Sequence, residues 1–138
     1  MTGRPLRVVC GAVMRDGRVL AVQRGPGGAA AHRWELAGGK VEPGEDDAVA
    51  LARELGEELD LHVVVEKELA RAEHRYPTLH LLLVCLPCTL DPAGQEPVLH
   101  EHVAARWLGP DALDSVAWAA ADVPLLDAVR RRLEQPTG

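Results

Sequence analysis

The chain has 138 residues, 47% of them hydrophobic, which is enough for one domain with a buried core and too little for two. With 15 Lys and Arg against 21 Asp and Glu, its formal charge of −6 excludes the basic surface that binding to a nucleic-acid polymer needs. A small anionic ligand remains compatible with that charge if a metal supplies positive charge locally.

Chain order then gives the expected elements. Leu6 to Met14 is apolar and partly β-branched, Arg15-Asp16-Gly17 makes a turn, and Val19 to Gln23 resumes the apolar run, which together predict a hairpin. Gly25 to Ala31 reads as a loop, and Trp34 to Ala37 as a short strand stopped by Gly38-Gly39. The strongest helix signal runs from Asp46 to Asp60, with Ala48, Ala52, Leu55 and Leu59 as a core-facing stripe. Pro43-Gly44 blocks an earlier start, and acidic residues occupy the first turn. His62 to Glu68 and Leu79 to Cys88 read as strands, the second nearly all apolar and hence central. Asp91 to Pro97 is a loop and Val103 to Leu108 a further strand. Asp122 to Leu133 closes the chain as a helix with Leu125, Leu126, Val129 and Leu133 on its apolar side. Strands flanking one internal helix, with a second helix at the end, predict a mixed α+β domain spanning residues 1–138.

The opening segment, Met1 to Arg7, is short and polar, and no apolar run approaches the ~20 residues that span a bilayer, so neither a targeting segment nor membrane attachment is expected. The cysteines, Cys10, Cys85 and Cys88, form no disulfide framework and suit a reducing cytoplasm. Cys85-Leu-Pro-Cys88 has redox-motif spacing, but it closes a strand-like run and has no second ligand pair for zinc, so buried inert thiols are expected.

Chemistry concentrates on the central helix. Glu54, Glu57 and Glu58 stand at i, i+3 and i+4, on one helical face and away from the apolar stripe. Like charges so spaced repel by a few tenths of a kcal/mol per pair, and Arg53 is the sole neighbour along the helix able to offset them. Two readings follow: a solvated acidic face, or a site for a hard divalent cation such as Mg²⁺, which favours carboxylate oxygens and keeps waters and substrate phosphates in its shell. Upstream, Gly38-Gly39 is either a tight turn or a place where backbone comes close to a metal or a phosphate.

Taken together, these pieces resemble the Nudix box. Gly39, five residues, Glu45, seven residues, then Arg53-Glu54-Leu55-Gly56-Glu57-Glu58-Leu59-Asp60-Leu61 matches G-x5-E-x7-R-E-U-x-E-E-x-G-U over residues 39–61. Asp60 is the one departure, standing where the pattern has Gly; Asp tolerates a left-handed cap better than most residues. The words Trp34 to Glu45, His100-Glu101-His102, Trp107 and Ala121 to Leu126 are similar to the MutT-type branch and to its CTP pyrophosphohydrolases.

The resemblance implies a Nudix fold, a mixed β-sheet sandwiched between helices. It also implies Mg²⁺-dependent hydrolysis, with Mn²⁺ as a substitute, of a nucleoside triphosphate to monophosphate and pyrophosphate. CTP, dCTP or a modified dCTP is the expected substrate. Glu54, Glu57 and Glu58 would hold the metal, helped by the carbonyl of Gly38 and by Glu101. Arg53 and Glu45 would form a supporting pair, and Glu57 would serve as general base, with Glu101 next. Arg24, Gly39 and Lys40 would meet phosphates. Leu36 and Ala37 would line the base pocket, and Asp122 falls where this branch places a base-reading Asn. An N-cap for the following helix is the equal alternative for Asp122.

An ionised Asp matches the N1–H and N2–H edge of guanine better than cytosine, so base chemistry alone leaves 8-oxo-dGTP open. ADP-ribose or dinucleotide hydrolysis, and a non-catalytic nucleotide sensor, are the rival functions. The expected partner is a small nucleotide, with no nucleic-acid polymer and no membrane, and the chain is expected to be a monomer or homodimer.

Overall fold

Strand β1 (Leu6–Arg15) turns at Asp16-Gly17 into β2 (Arg18–Gln23). Both turn residues have positive φ, 53° and 74°, the backbone that a two-residue hairpin requires and that Asp-Gly supplies. This computed structural model describes residues 4–135. A loop then leads to β3 (Trp34–Glu35) and β4 (Gly38–Lys40), followed by helix α1 (Asp47–Leu59). Strands β5 (Val63–Val65), β6 (Ala70–Tyr76), β7 (Leu79–Leu90) and β8 (Ala104–Leu108) follow. Two short 3-10 turns, Pro110–Ser115 and Val123–Leu125, precede helix α2 (Leu126–Glu134).

The strand order is β3-β2-β1-β7-β5, with β4 added to β1, β6 to β7 and β8 to β2. β1 and β7 run parallel over nine paired residues, Leu6 with Leu81 through Met14 with Thr89, while the other pairings are antiparallel. The sheet is therefore mixed, and its pleat sends alternate residues to two cores. Cys10, Ala12, Val19, Ala21 and Cys85 pack with Trp118, Leu125 and Val129 on the α2 side. Val9, Val13, Leu20, Val22 and Val84 pack beneath Leu51, Leu55 and Leu59 of α1. The expected sheet between helices is what forms.

Four local expectations need correction. Gly38-Gly39 does not stop a strand but forms β4, pairing with Cys10 and Val9. The α1 stripe is Ala50, Leu51, Leu55 and Leu59, whereas Ala48 is half-buried and Ala52 exposed; a lone methyl carries too little burial energy to mark a face, and Leu51 decides it. β6 went unread because its inward positions are Ala70, Ala72, His74 and Tyr76, alternating with Arg71, Glu73 and Arg75. That alternation of small and polar residues gives a weak two-residue hydrophobic signal. The closing helix starts at Leu126, its first turn being 3-10.

The helix caps follow the sequence. Asp46 accepts a hydrogen bond from Val49 N at 2.8 Å, and Asp60 closes α1 in the left-handed region, φ 55°. All three cysteines are unpaired and buried, and burial pushes the Cys88 thiol up to about 12. No helix among the described residues is long and apolar enough to cross a membrane.

Candidate active site

The loop into α1 is held by one guanidinium. Arg53 donates from Nε and Nη2 to the two carboxylate oxygens of Glu45, at 2.8 and 2.9 Å, and from Nη2 to the Lys40 carbonyl at 3.1 Å. Its Nη1 reaches Glu54 at 3.0 Å and Glu57 at 3.4 Å. Glu45 in turn accepts from the backbone N–H of Glu42 at 2.9 Å. The Arg53 guanidinium, helped by that N–H, holds the Glu45 carboxyl down to about 2, and Glu45 raises Arg53 above its ordinary value. One bidentate pair thus fixes the approach of β4 and its loop to the acidic helix.

Close approach explains the glycines. A Cβ on Gly39 would lie 2.5 Å from both oxygens of Glu54, and one on Gly38 would overlap the Val9 carbonyl. Glu54 therefore rests directly on the Gly39 backbone, its side chain only 15% exposed. Glu57 points outward and is 61% exposed. Glu58 turns inward: its Oε2 is buried without a hydrogen-bond partner. Burial pushes the Glu58 carboxyl up to about 7, opposed by His102 and reinforced by Glu54, Glu35 and Glu101. Glu54, Glu35 and Glu101 thus lie near enough to oppose ionisation of the Glu58 carboxyl.

Glu58 belongs to the wall of a cleft of about 710 Å³. Glu58, Glu101, Gly38, Gly39 and Lys40 line one part of it, and Leu36, Leu83, Ala121 and Asp122 another. Arg24 and Glu35 lie on the wall between the loops, and Tyr76 and Leu79 on the β6–β7 turn. Asp122 is the one charged residue in the core of the described residues, 5% exposed, and its Oδ2 accepts from the backbone N–H of Leu36 at 2.9 Å. Burial pushes its carboxyl up to about 7; the Leu36 N–H works against that rise, Glu35 adds to it and Arg24 opposes it. The side chain makes no helix-cap hydrogen bond, which removes the N-cap reading.

A NUDIX domain model matches residues 4–129. The chain belongs to the Nudix family. It is 38% identical over 125 residues to the CTP pyrophosphohydrolase of Escherichia coli K12, covering 89% of this chain and 90% of that one. The solution structure of the E. coli ORF135 protein superposes with a TM-score of 0.81 at 33% identity, covering 98% of this chain and 96% of that one. The crystal structure of the MutT NUDIX hydrolase from Burkholderia pseudomallei gives 0.80 at 27% identity, over 92% and 99%.

Within this Nudix domain the predicted residues fall into three groups. Arg24, Leu36, Gly38, Gly39, Lys40, Glu58, Glu101 and Asp122 all line the cleft. Arg53 and Glu54 sit behind its wall, and Glu57 lies at the outer side of α1 beside Arg53. Ala37 is buried in the α1-side core and does not line the cleft; its carbonyl accepts from Gly11 N at 2.9 Å. Sequence reasoning missed Glu35 and His102 as site residues, and left Tyr76 without a role. Glu35 was legible as a lone charge inside the short strand Trp34–Ala37. His102 had no signal beyond its place next to Glu101.

Nudix hydrolases generally use a divalent metal, and the residues here fit one. Among the described residues no three acidic, His or Cys side chains converge closely enough to cage an ion by themselves. Mg²⁺ needs no such cage, because it keeps waters and takes substrate phosphates as ligands. What it does need is present: an unpaired carboxylate oxygen on Glu58, Glu54 beside it, and a backbone approach at Gly38-Gly39.

Proposed function

We propose that the chain hydrolyses a nucleoside triphosphate to the monophosphate and pyrophosphate, with Mg²⁺ as the metal and a cytosine nucleotide as preferred substrate. The observation that carries this reading is the unpaired, buried Oε2 of Glu58 on the wall of a nucleotide-sized cleft. A carboxylate left in that state is costly without a cation. Glu54, Glu57, Glu58 and Glu101, with the Gly38 carbonyl, would hold the ion; Mn²⁺ fits the same oxygen set. When bound, such an ion neutralises the polyphosphate and makes water a better nucleophile.

The residues of the chain do the rest. Arg53, clamped on Glu45, keeps α1 and the Gly39 loop in register. Arg24 and Lys40 meet the outer phosphates from the cleft wall. Glu57 takes the proton of the attacking water, with Glu101 the next candidate. The water oxygen bonds to phosphorus as the anhydride oxygen leaves with its electron pair.

The base assignment rests on the likeness to the CTP pyrophosphohydrolase of E. coli, and Asp122 is compatible with it. With its carboxyl raised to about 7, a neutral form is available near neutral pH. A neutral carboxyl donates to cytosine N3 while accepting from N4–H, the two-point match that an ionised Asp cannot make with cytosine. The cytoplasm, where unpaired thiols stay reduced, is the proposed location.

A Mg²⁺ panel of CTP, dCTP, 5-methyl-dCTP, dGTP, 8-oxo-dGTP and ADP-ribose, read by pyrophosphate and phosphate release, tests the reading. Cytosine nucleotides are expected to lead. ADP-ribose turnover above that of every triphosphate would overturn it, and 8-oxo-dGTP in the lead would overturn the base assignment alone.

A further inference from the structure

Glu101 sits in the stretch 91–103, which has no regular secondary structure, yet it reaches the cleft wall. Its side chain makes no hydrogen bond among the described residues, so its neighbours must set its position. The stretch is tied down at Val98, whose N–H meets the Leu59 carbonyl at 2.9 Å, and at Val103, whose N–H meets the Gln23 carbonyl at 2.9 Å. His100 approaches Asp60 at 3.2 Å, but both side chains are about half exposed, and such pairs are worth little.

The tie beside Glu101 is different. His102 is 8% exposed, and its Nε2 lies 2.9 Å from Oε2 of Glu35, itself mostly buried. The other oxygen of Glu35 takes Nη1 of Arg24 at 3.2 Å. Arg24, Glu35 and His102 thus form a chain of hydrogen bonds from the end of β2, through β3, to the residue next to Glu101. His102 also lies near Glu58, and its Nδ1 is buried without a partner, as is Glu58 Oε2. These are the two orphaned buried side-chain atoms of the described residues, and they belong to side chains that share one cleft wall.

We infer that His102 is a positioning residue. Its Nε2 bond to Glu35 latches the Glu101 stretch onto β3, and its ring sets the spacing between Glu101 and Glu58 on which cation binding depends. This inference rests on the proposed metal-dependent hydrolysis, and the latch joins Arg24 and Glu35 to the part of the cleft wall that carries Glu58 and Glu101.

The test compares H102Q, H102N and H102A in the full chain. Gln can place its amide nitrogen where Nε2 stands, whereas Asn reaches only the Nδ1 position. Mn²⁺ binding to the nucleotide-free protein, followed by electron paramagnetic resonance, is read beside kcat, KM and Tm. Expected are Mn²⁺ affinities about 10-fold weaker and kcat about 30-fold lower in H102A and H102N, with KM within about 3-fold. H102Q is expected to stay within about 3-fold of wild type in both.

H102A with wild-type Mn²⁺ affinity, or H102Q as impaired as H102A, overturns the inference. Should H102A not fold, E35A and E35Q, which lose the same charge, carry the same test: weaker Mn²⁺ binding in E35A than in E35Q, whose amide oxygen can still accept from His102, supports the latch, and equal binding in the two overturns it. If the wild-type chain hydrolyses no nucleotide, the substrate reading fails, while the Mn²⁺ measurement still judges the latch.

Discussion

The cleft has two walls made in opposite ways. The acidic wall comes mostly from one continuous stretch, residues 38–58, in which β4, a loop and α1 present Gly38, Gly39 and Glu58 with Glu54 behind them, and Glu101 joins it from the stretch before β8. The nucleoside wall is assembled from Leu36, Leu83, Tyr76 and Asp122, brought together by β3, β7, β6 and the turn before α2. The first is fixed by local geometry: helical spacing, a capping Asp46 and an Arg53–Glu45 clamp. The second depends on tertiary packing and on one hydrogen bond, Leu36 N–H to Asp122. By the proposed function, catalysis belongs to the locally determined wall and selectivity to the assembled one.

Substitutions on the acidic wall should therefore remove turnover without changing preference. Glu57→Gln is expected to lower kcat by 100-fold or more with Tm unchanged, as measured by pyrophosphate release and calorimetry; wild-type rates would mean that the base is misassigned. Gly39→Ala places a methyl in the space of the Glu54 carboxylate. Because the displaced group is the end of a flexible side chain, the fold should survive while kcat falls at least 10-fold and Mn²⁺ affinity drops with it.

On the assembled wall the effect should be a change in preference. Asp122→Leu is expected to alter the CTP-to-dGTP ratio of kcat/KM by about 10-fold, in line with the 1–3 kcal/mol that one base contact supplies, whereas the donor and acceptor kept by Asp122→Asn should preserve it. Asp122→Asn also tests the buried carboxyl. Its folded-state pKa is raised from the ordinary 3.8 to about 7. The folded state therefore holds the proton more tightly, and stability contributed by Asp122 is full below about pH 4 and lost as pH rises towards 7. At 1.36 kcal/mol per unit the full change is about 4 kcal/mol. Denaturant midpoints of wild type should fall across that range, and those of Asp122→Asn should fall less. An equal decline in both would assign the loss to other groups.

The smallest effect belongs to the cap. Asp60→Gly relieves a non-glycine residue of its left-handed conformation, φ 55°, and should stabilise α1 by about 0.5 kcal/mol. The gain would show as a small rise in Tm with activity unchanged.

The same division governs what could be read in the residues. Glu54, Glu57 and Glu58 at i, i+3 and i+4 announce themselves because helical spacing is a property of the sequence. The hairpin at Asp16-Gly17, the start of α1 near Asp46, the left-handed Asp60 and the central β7 were legible because their signals are local as well. Glu35 and His102 were not, since their pairing joins residues 67 apart in the chain and depends on how β3 meets the stretch before β8. β6 stayed hidden because its inward side chains carry little hydrophobic contrast. Asp122 stood in the sequence as either cap or base reader, and only its bond to Leu36, 86 residues away, separates the two.

One measurement reaches the centre of this account: stoichiometric product analysis of CTP hydrolysis by protein stripped of metal and then titrated with Mg²⁺. No turnover is expected without the ion, and equal amounts of CMP and pyrophosphate once it is restored. Turnover that is indifferent to Mg²⁺, or CDP and orthophosphate as the products, would contradict it.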